Sequence, residues 1–499
     1  MIRTRTRSAA ALLATTLLAG VATAQTPPAA PPPPPPPELP EAMRAQPGGL
    51  TAEQAARRAV QTSLSVRSAR ANVTAAEAAR SEAALSMIPQ ITLSARYTRL
   101  SEITPPRLSF GASTCIGTNG ALYTQLPTGA GGALECPQGT ILPPSTGGFS
   151  FPVILDNIAF RGSVTIPITD IPLRLARLYE AAGLTEQARR LDEEAARNTA
   201  ASEARVAFYE VLRARGQLAV AQQGAETAAH HRTDLARFVE AGTVARVELL
   251  RVEAQVAEAE RLVIAAREGV AMAEVQLRQR LHMAPEEPLT MGESLEESPA
   301  VPSNLAQLIE RAWRDRPEIA SLERQSGALD ANLSAARAGV WPSVAGVFNV
   351  DIANPNQRFI PQSQDFNTTW DATIQLQWSP TGALVAGRTA ARVEAQREVL
   401  RASLQQLREG LEMEVRAAYT GAQTAAAAIE AARRQLVASE ESYRVRRERF
   451  LIGSAISSDL TDAELDLLRG RLAMVNANVD LRESLARLRR AVGERERAD

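Results

Sequence analysis

The chain has 499 residues, 45% of them hydrophobic but only 4% aromatic, and its 55 basic and 56 acidic side chains nearly cancel. That balance excludes a broad positive field for nucleic acid. The absence of Lys, with all positive charge on Arg, removes P-loop lysines, Schiff-base lysines and Ser-Lys dyads.

Arg3, Arg5 and Arg7 precede an apolar run from Ala9 to Val21, and Ala22-Thr23-Ala24 offers a small-x-small cleavage site before Gln25. Residues 1–24 therefore read as a secretory signal peptide, with no nearby Cys to carry a lipid. Residues 25–49 are a Pro-rich leader, expected to be extended and semi-rigid. Beyond the signal no run of eighteen apolar residues occurs, so a membrane role requires strands.

A first repeat is predicted over 50–283. Leu50-Thr51-x-x-Gln54 is a capping box with an apolar staple, opening helix that continues to about Leu85. Its counterpart begins at Ser303-Asn304, with Pro317 starting a fresh helix. Pro89 and Pro342 end these helices at a constant offset of 253. Alternation follows each Pro, giving strands at about 90–100 and 343–352.

Second strands are predicted at about 160–169 and 370–379. The latter sets Trp370, Ala372, Ile374, Leu376 and Trp378 against Asp371, Thr373, Gln375, Gln377 and Ser379. Each strand has the length of a tilted bilayer crossing, and Trp370 with Trp378 suits an interfacial girdle. The intervening loop 101–159 is an insertion relative to the second repeat and holds the only cysteines, Cys115 and Cys136. In a secreted chain these are expected to form a disulfide, contributing about 3 kcal/mol in the chain-entropy model.

Long helices are predicted over about 173–240 and 386–450, on the order of 100 Å each. After each comes a turn, Arg237-Phe238 then Gly242, and Arg449-Phe450 then Gly453, with an acidic residue six places later, Glu248 and Asp459. A coiled-coil seam follows: Leu249, Val252, Val256, Ala259, Val263, Ala266, Val270, Ala273 and Leu277. Adding 211 gives the second seam, Leu460 to Leu488, weakened at Gly470 and Ser484. The chain is thus a tandem repeat, with 284–302 as linker and 303–499 as the second copy.

The chemistry of an enzyme is missing. His230, His231 and His282 lack ligand spacing and read as solvated surface. There is no Gly-x-Ser-x-Gly, no His-Glu-x-x-His and no phosphate loop. No catalytic, cofactor or metal residue is assigned. Four amphipathic strands cannot close a barrel, because an open edge in lipid strands backbone polar groups, so protomers must associate.

The order helix, strand, strand, long helix, turn, helix, occurring twice, resembles the TolC-like outer-membrane factor family over roughly Leu50 to Val492. The helix-ending prolines, the Trp378-Ser-Pro-Thr-Gly passage and the two Gly-x5-acidic-Leu turns carry the likeness. The resemblance implies a mainly α protein with membrane β-strands, assembled as a homotrimer: a β-barrel in outer-membrane lipid on an α-helical barrel in the periplasm.

It further implies a passive exit duct of a tripartite efflux pump or type I secretion system, served by a periplasmic adaptor protein and, through it, an inner-membrane pump or secretion ATPase. Asp459 and Asp462 fall on the family's acidic rings and Glu248 on the first turn's acidic position. Phe450 stands where members carry a Tyr. The turns at Gly242 and Gly453 are the expected mouth and adaptor contact. Because Ala455 replaces a frequent Arg, Arg444, Arg446, Arg447 and Arg449 are expected to pair with Glu240 or Glu248 instead. Simpler readings stand beside these: acids in a helix's first turn, and basic residues at a solvated helix end. The competing whole-chain reading is a secreted trimeric coiled-coil adhesin or periplasmic spacer without a conduit.

Overall fold

A computed structural model describes residues 45–102, 113–117, 120, 122–125, 139–141, 153–294 and 299–494. The expected signal peptide, most of the Pro-rich leader and Cys136 lie outside the described residues.

Helix α1, Ala52–Thr62, opens on the capping box: Gln54 N donates to Thr51 Oγ1 at 3.2 Å and Thr51 N to Gln54 Oε1 at 3.0 Å. Helix α2, Leu64–Leu85, leads to strand β1, Gln90–Arg99. Three short strands follow, β2 (Ser113–Gly117), β3 (Leu122–Gln125) and β4 (Gly139–Ile141), forming their own sheet in the order β3-β2-β4 inside the inserted loop. Strand β5, Asp156–Pro167, then returns beside β1.

A π-helical turn, Ile171–Leu175, bends the chain from β5 into α3, Ala176–Glu240, and α4, Arg246–Leu281, comes back. The second copy repeats the pattern: α5 (Leu305–Asp315), α6 (Pro317–Ala338), β6 (Ser343–Asn354), β7 (Asn367–Gln377), α7 (Pro380–Leu451) and α8 (Ser457–Ala491). Helices α5 and α6 match α1 and α2 at the offset of 253, residue for residue at both ends. Strand β7 starts three residues before Trp370 and stops at Gln377, which leaves Trp378 just past its end. Helix α7 begins six residues ahead of the sequence expectation. Pro380 occupies its first turn and Ser379 caps it, accepting from Gly382 N at 3.1 Å.

At 1.5 Å per residue the 65-residue α3 and 72-residue α7 are each on the order of 100 Å long. The shorter helices stack along them: α2 and α4 pack on α3, α6 and α8 on α7, and α8 also packs on α3. Much of the core is Ala, including Ala52, Ala55, Ala59 and Ala204 around Phe208, Val211 and Leu277. Small residues let helix axes approach closely, which explains so hydrophobic a composition with so few aromatics.

The linker after α4 folds back onto the start of the chain. Leu50 pairs with Met291 through Leu50 N to Thr290 O at 2.8 Å and Gly292 N to Leu50 O at 2.7 Å. Glu293 ties this junction to the bundle, accepting from Ala52 N at 3.2 Å and from Tyr209 Oη at 3.0 Å. Arg58 and Glu287 pair at 2.6 Å, and that hydrogen bond holds the Glu287 carboxyl below its usual range. Among the described residues no helix is long and apolar enough to cross a membrane.

Candidate functional site

The four long strands form one antiparallel sheet in the order β1-β5-β6-β7, so β1 and β7 are open edges. Register places Ile91 opposite Val164, Val164 opposite Phe348, and Phe348 opposite Ala372. One face is therefore apolar throughout: Ile91, Leu93 and Tyr97 continue across Phe160, Phe348 and Val350 to Trp370, Ile374 and Leu376. It is not covered, with Leu93 at 82% and Ile374 at 79% exposure. Trp370 stacks obliquely on Phe348 at 6.1 Å, while Trp378 donates from Nε1 to Val340 O at 3.2 Å. Both indoles remain largely exposed.

The opposite face is polar and internally paired. Arg161 meets Asp351 at 2.6 Å, Asn349 donates to Asp371 at 2.9 Å, and Arg358 reaches Asp371 at 2.6 Å. An apolar face toward lipid and a hydrogen-bonded polar face toward water is what a membrane barrel wall requires. A lone four-stranded sheet exposing both faces and both edges is unfinished.

At the far end of the helices the two repeats make matching turns. Gly242 has φ +75° and Gly453 φ +73°. In the first, Thr243 N donates to Phe238 O at 3.0 Å and Gly242 N to Val239 O at 3.0 Å. In the second, Ser454 N donates to Arg449 O at 2.8 Å and Gly453 N to Phe450 O at 3.0 Å. Both are Schellman closures, in which glycine supplies the left-handed conformation without a Cβ penalty. The bonds align Val239 with Phe450, at the seam offset of 211. The aromatic residues of the two turns are thus out of register by one.

Asp459 and Asp462 are exposed in the first turns of α8. Asp466 continues the same face but pairs with Arg469 at 3.3 Å. Glu248 is half-buried and pairs with Arg251 at 3.3 Å, one turn on in its own helix. Phe450 is not at a surface of the protomer: at 4% exposure it packs with Leu235, Val252 and Leu460, because without a hydroxyl it has nothing to offer water. The Arg cluster departs from expectation as well. Arg444 binds Glu441 and Glu448 of its own helix, at 2.6 and 2.8 Å, which holds the Glu441 carboxyl low. Arg446 donates to the Asp459 carbonyl at 2.9 Å. Among the described residues no ion pair joins the cluster to Glu240 or Glu248, and Arg444 takes the nearer i−3 and i+4 partners on its own helix.

Sequence reasoning missed one group. His230 is exposed, but His231 is buried to 3%, with Nδ1 3.3 Å from Glu464 Oε2 and Nε2 3.3 Å from Ser457 Oγ. Its ring stands edge-on to Phe450 at 5.1 Å. The signal was available: His231 lies four residues before Leu235, on the core stripe of α3. For the disulfide, the backbone of Cys115 lies in β2 while Cys136 falls outside the described residues. No three of the described His, Cys, Asp and Glu residues gather as a metal site.

Residues 308–494 match the family model described as outer membrane efflux protein. No curated protein matches the chain in sequence. Among solved structures, the outer-membrane channel OprN is similar with a TM-score of 0.69 at 18% identity, covering 89% of each chain. The transmembrane channel CusC is similar with a TM-score of 0.71 at 15% identity, covering 89% of this chain and 92% of that one. The outer membrane protein VceC of Vibrio cholerae gives 0.68 at 16%, covering 89% and 96%. Residues 308–494 thus match the outer membrane efflux protein domain, and the duplicated whole shares the fold of these outer-membrane channels.

Proposed function

We propose that this chain is the outer-membrane exit duct of a tripartite efflux pump or type I secretion system, working as a homotrimer. The observation that carries this reading is the sheet. Its four strands, 10 to 12 residues each, expose an apolar face and two unpaired edges. Pairing β7 of one copy with β1 of the next satisfies both edges, and three copies bring twelve strands into a closed wall. The long helices then continue the wall as a tube into the periplasm.

In this reading Trp370 and Trp378 sit at lipid interfaces, and the turns at Gly242 and Gly453 form the periplasmic mouth. There a periplasmic adaptor docks and connects to an inner-membrane pump or secretion ATPase. Asp459 and Asp462, exposed and, among the described residues, without an ion pair such as the one that occupies Asp466, supply the negative charge of the mouth. Phe450 holds the tip together from within. Transport is passive: the duct supplies a path and a gate.

The test is the native mass of protein extracted from outer membranes, corrected for bound detergent. Three protomers are expected. A monomer would leave both sheet edges open in lipid and end the conduit reading.

A further inference from the structure

All four tip helices meet at the His231–Glu464 pair. The imidazole Nδ1 lies 3.3 Å from Glu464 Oε2 and its Nε2 3.3 Å from Ser457 Oγ, both on α8. Gln255 of α4 donates to the same Glu464 oxygen at 3.2 Å, and Phe450 of α7 flanks the ring. The pair therefore bridges α3 to α8, the seam along which the first hairpin packs on the second.

A second feature lies beside it. Glu464 Oε1 and Gln255 Oε1 are buried and have no hydrogen-bond partner among the described residues. Both residues line a cavity of about 70 Å³ whose wall also includes Glu258 and Arg471. That volume is enough for a water molecule, which would donate to both oxygens.

Ser457, His231 and Glu464 stand in the order of a hydrolase triad. Ser457 is buried, however, and does not line the neighbouring cavity, so its Oγ is closed to an acyl substrate. The group's proton chemistry is therefore available to packing rather than to catalysis.

We propose that His231 and Glu464 form a proton-linked clasp between the two hairpins at the tip, tight when the imidazole is protonated and loosened when it is neutral. A cation and an anion in contact away from bulk water attract far more strongly than a neutral ring and a carboxylate. The other charged and titratable groups around Glu464 are Tyr443 of α7, which shares the field of Glu464 with Asp234 of α3, Arg447 of α7 and Arg471 of α8, and Glu258 of α4, which lines the same cavity. Glu258 is engaged by Arg261 at 2.6 Å and Asp234 by Arg237 at 3.5 Å, and among the described residues Glu464 is the one carboxylate bonded to the ring. The directly bonded carboxylate consequently sets the sign. Imidazole is the side chain whose charge changes most readily near neutrality, so the test brackets that range.

The readout is amide hydrogen exchange at α3 and α8 around the pair, in the full-length detergent-extracted protein, with rates normalised to the intrinsic rate at each pH. Between roughly pH 5.5 and pH 8, protection in the wild type should fall about fivefold or more, while H231Q and E464Q show no such change. Protection that is independent of pH in the wild type would overturn the proposal without any variant. A full pH response persisting in H231Q or E464Q would overturn it as well. The clasp concerns packing at the tip whatever passes through it, so neither result bears on the duct reading.

Discussion

The rings of Phe238 and Phe450 meet edge to face, with centroids 5.5 Å apart and planes at 89°. They come from different hairpins, and the two turns they precede are one residue out of register at these positions. A tandem repeat has thus been made asymmetric where its copies touch, so that two aromatics pack on each other instead of occupying the same place twice. Phe450→Ala removes the centre of this cluster and should cost the tip about 3–5 kcal/mol. Hydrogen exchange should accelerate at the tip amides and not around Phe208. Uniform acceleration along the helices would mean that the tip is not a separate packing unit.

Much of the architecture was legible in the sequence because it is written as period and punctuation. The capping box at Thr51, the prolines at 89 and 342 and the 3-4 seam after Leu249 are local signals, and each marks an element end or a buried stripe. The tip chemistry was not legible. Whether Arg444 reaches across to Glu240 or takes Glu441 on its own helix is settled by distances that spacing does not encode. His231 looked solvated because its neighbour His230 is. A helix separates adjacent residues by about 100°, so one faces water and the other the core. Phe450 was readable as apolar, but its burial follows from the three-dimensional meeting of the two hairpins.

Gly453 tests backbone strain alone. A Cβ built there meets nothing within 4 Å, yet φ is +73°. Gly453→Val should therefore destabilise the turn by about 1–2 kcal/mol through conformation rather than clash, and Gly453→Asn by less. Limited proteolysis at 450–456 separates the two variants. Equal protection of Val and wild type would show that the turn has another accessible conformation.

Glu483 on α8 accepts from Arg213 at 3.0 Å and Arg487 at 3.1 Å, but burial outweighs both guanidiniums and pushes its carboxyl up to about 7. The folded state thus prefers the protonated acid. That contribution is fully present below the unfolded value near 4.5 and is lost as pH rises through about 7. Glu483→Gln cannot ionise, so thermal stability should decline less steeply between those pH values than in the wild type. Parallel curves would show that the carboxylate is held charged by its arginines throughout.

The acidic face of α8 makes a graded prediction. Asp459 and Asp462 are exposed, whereas Asp466 already faces Arg469. Asp459→Asn with Asp462→Asn should lower the cation preference of single channels in planar bilayers severalfold. Asp466→Asn should change it little. If the three substitutions act alike, the field comes from the whole stripe; if none acts, the stripe lies off the conduction path.

The sheet offers a contrast between neighbours. Ile374 and Thr373 are consecutive in β7, so their side chains leave opposite faces of the wall. Ile374 stands opposite Gly346 on the apolar face, and Thr373 shares the polar face with Asp371, 3.5 Å from its hydroxyl. An arginine at 374 would enter lipid, costing about 1–3 kcal/mol at this depth and three times over in a trimer. At 373 the same arginine would join a face already carrying Arg161, Asp351 and Arg358, and water would solvate it. Ile374→Arg should therefore sharply reduce the trimer recovered from outer membranes, while Thr373→Arg assembles normally and shifts conductance. Recovery measured by native gel distinguishes them. Equal loss would mean that the sheet tolerates charge on neither face and is packed against protein, and equal recovery would remove lipid from the apolar side.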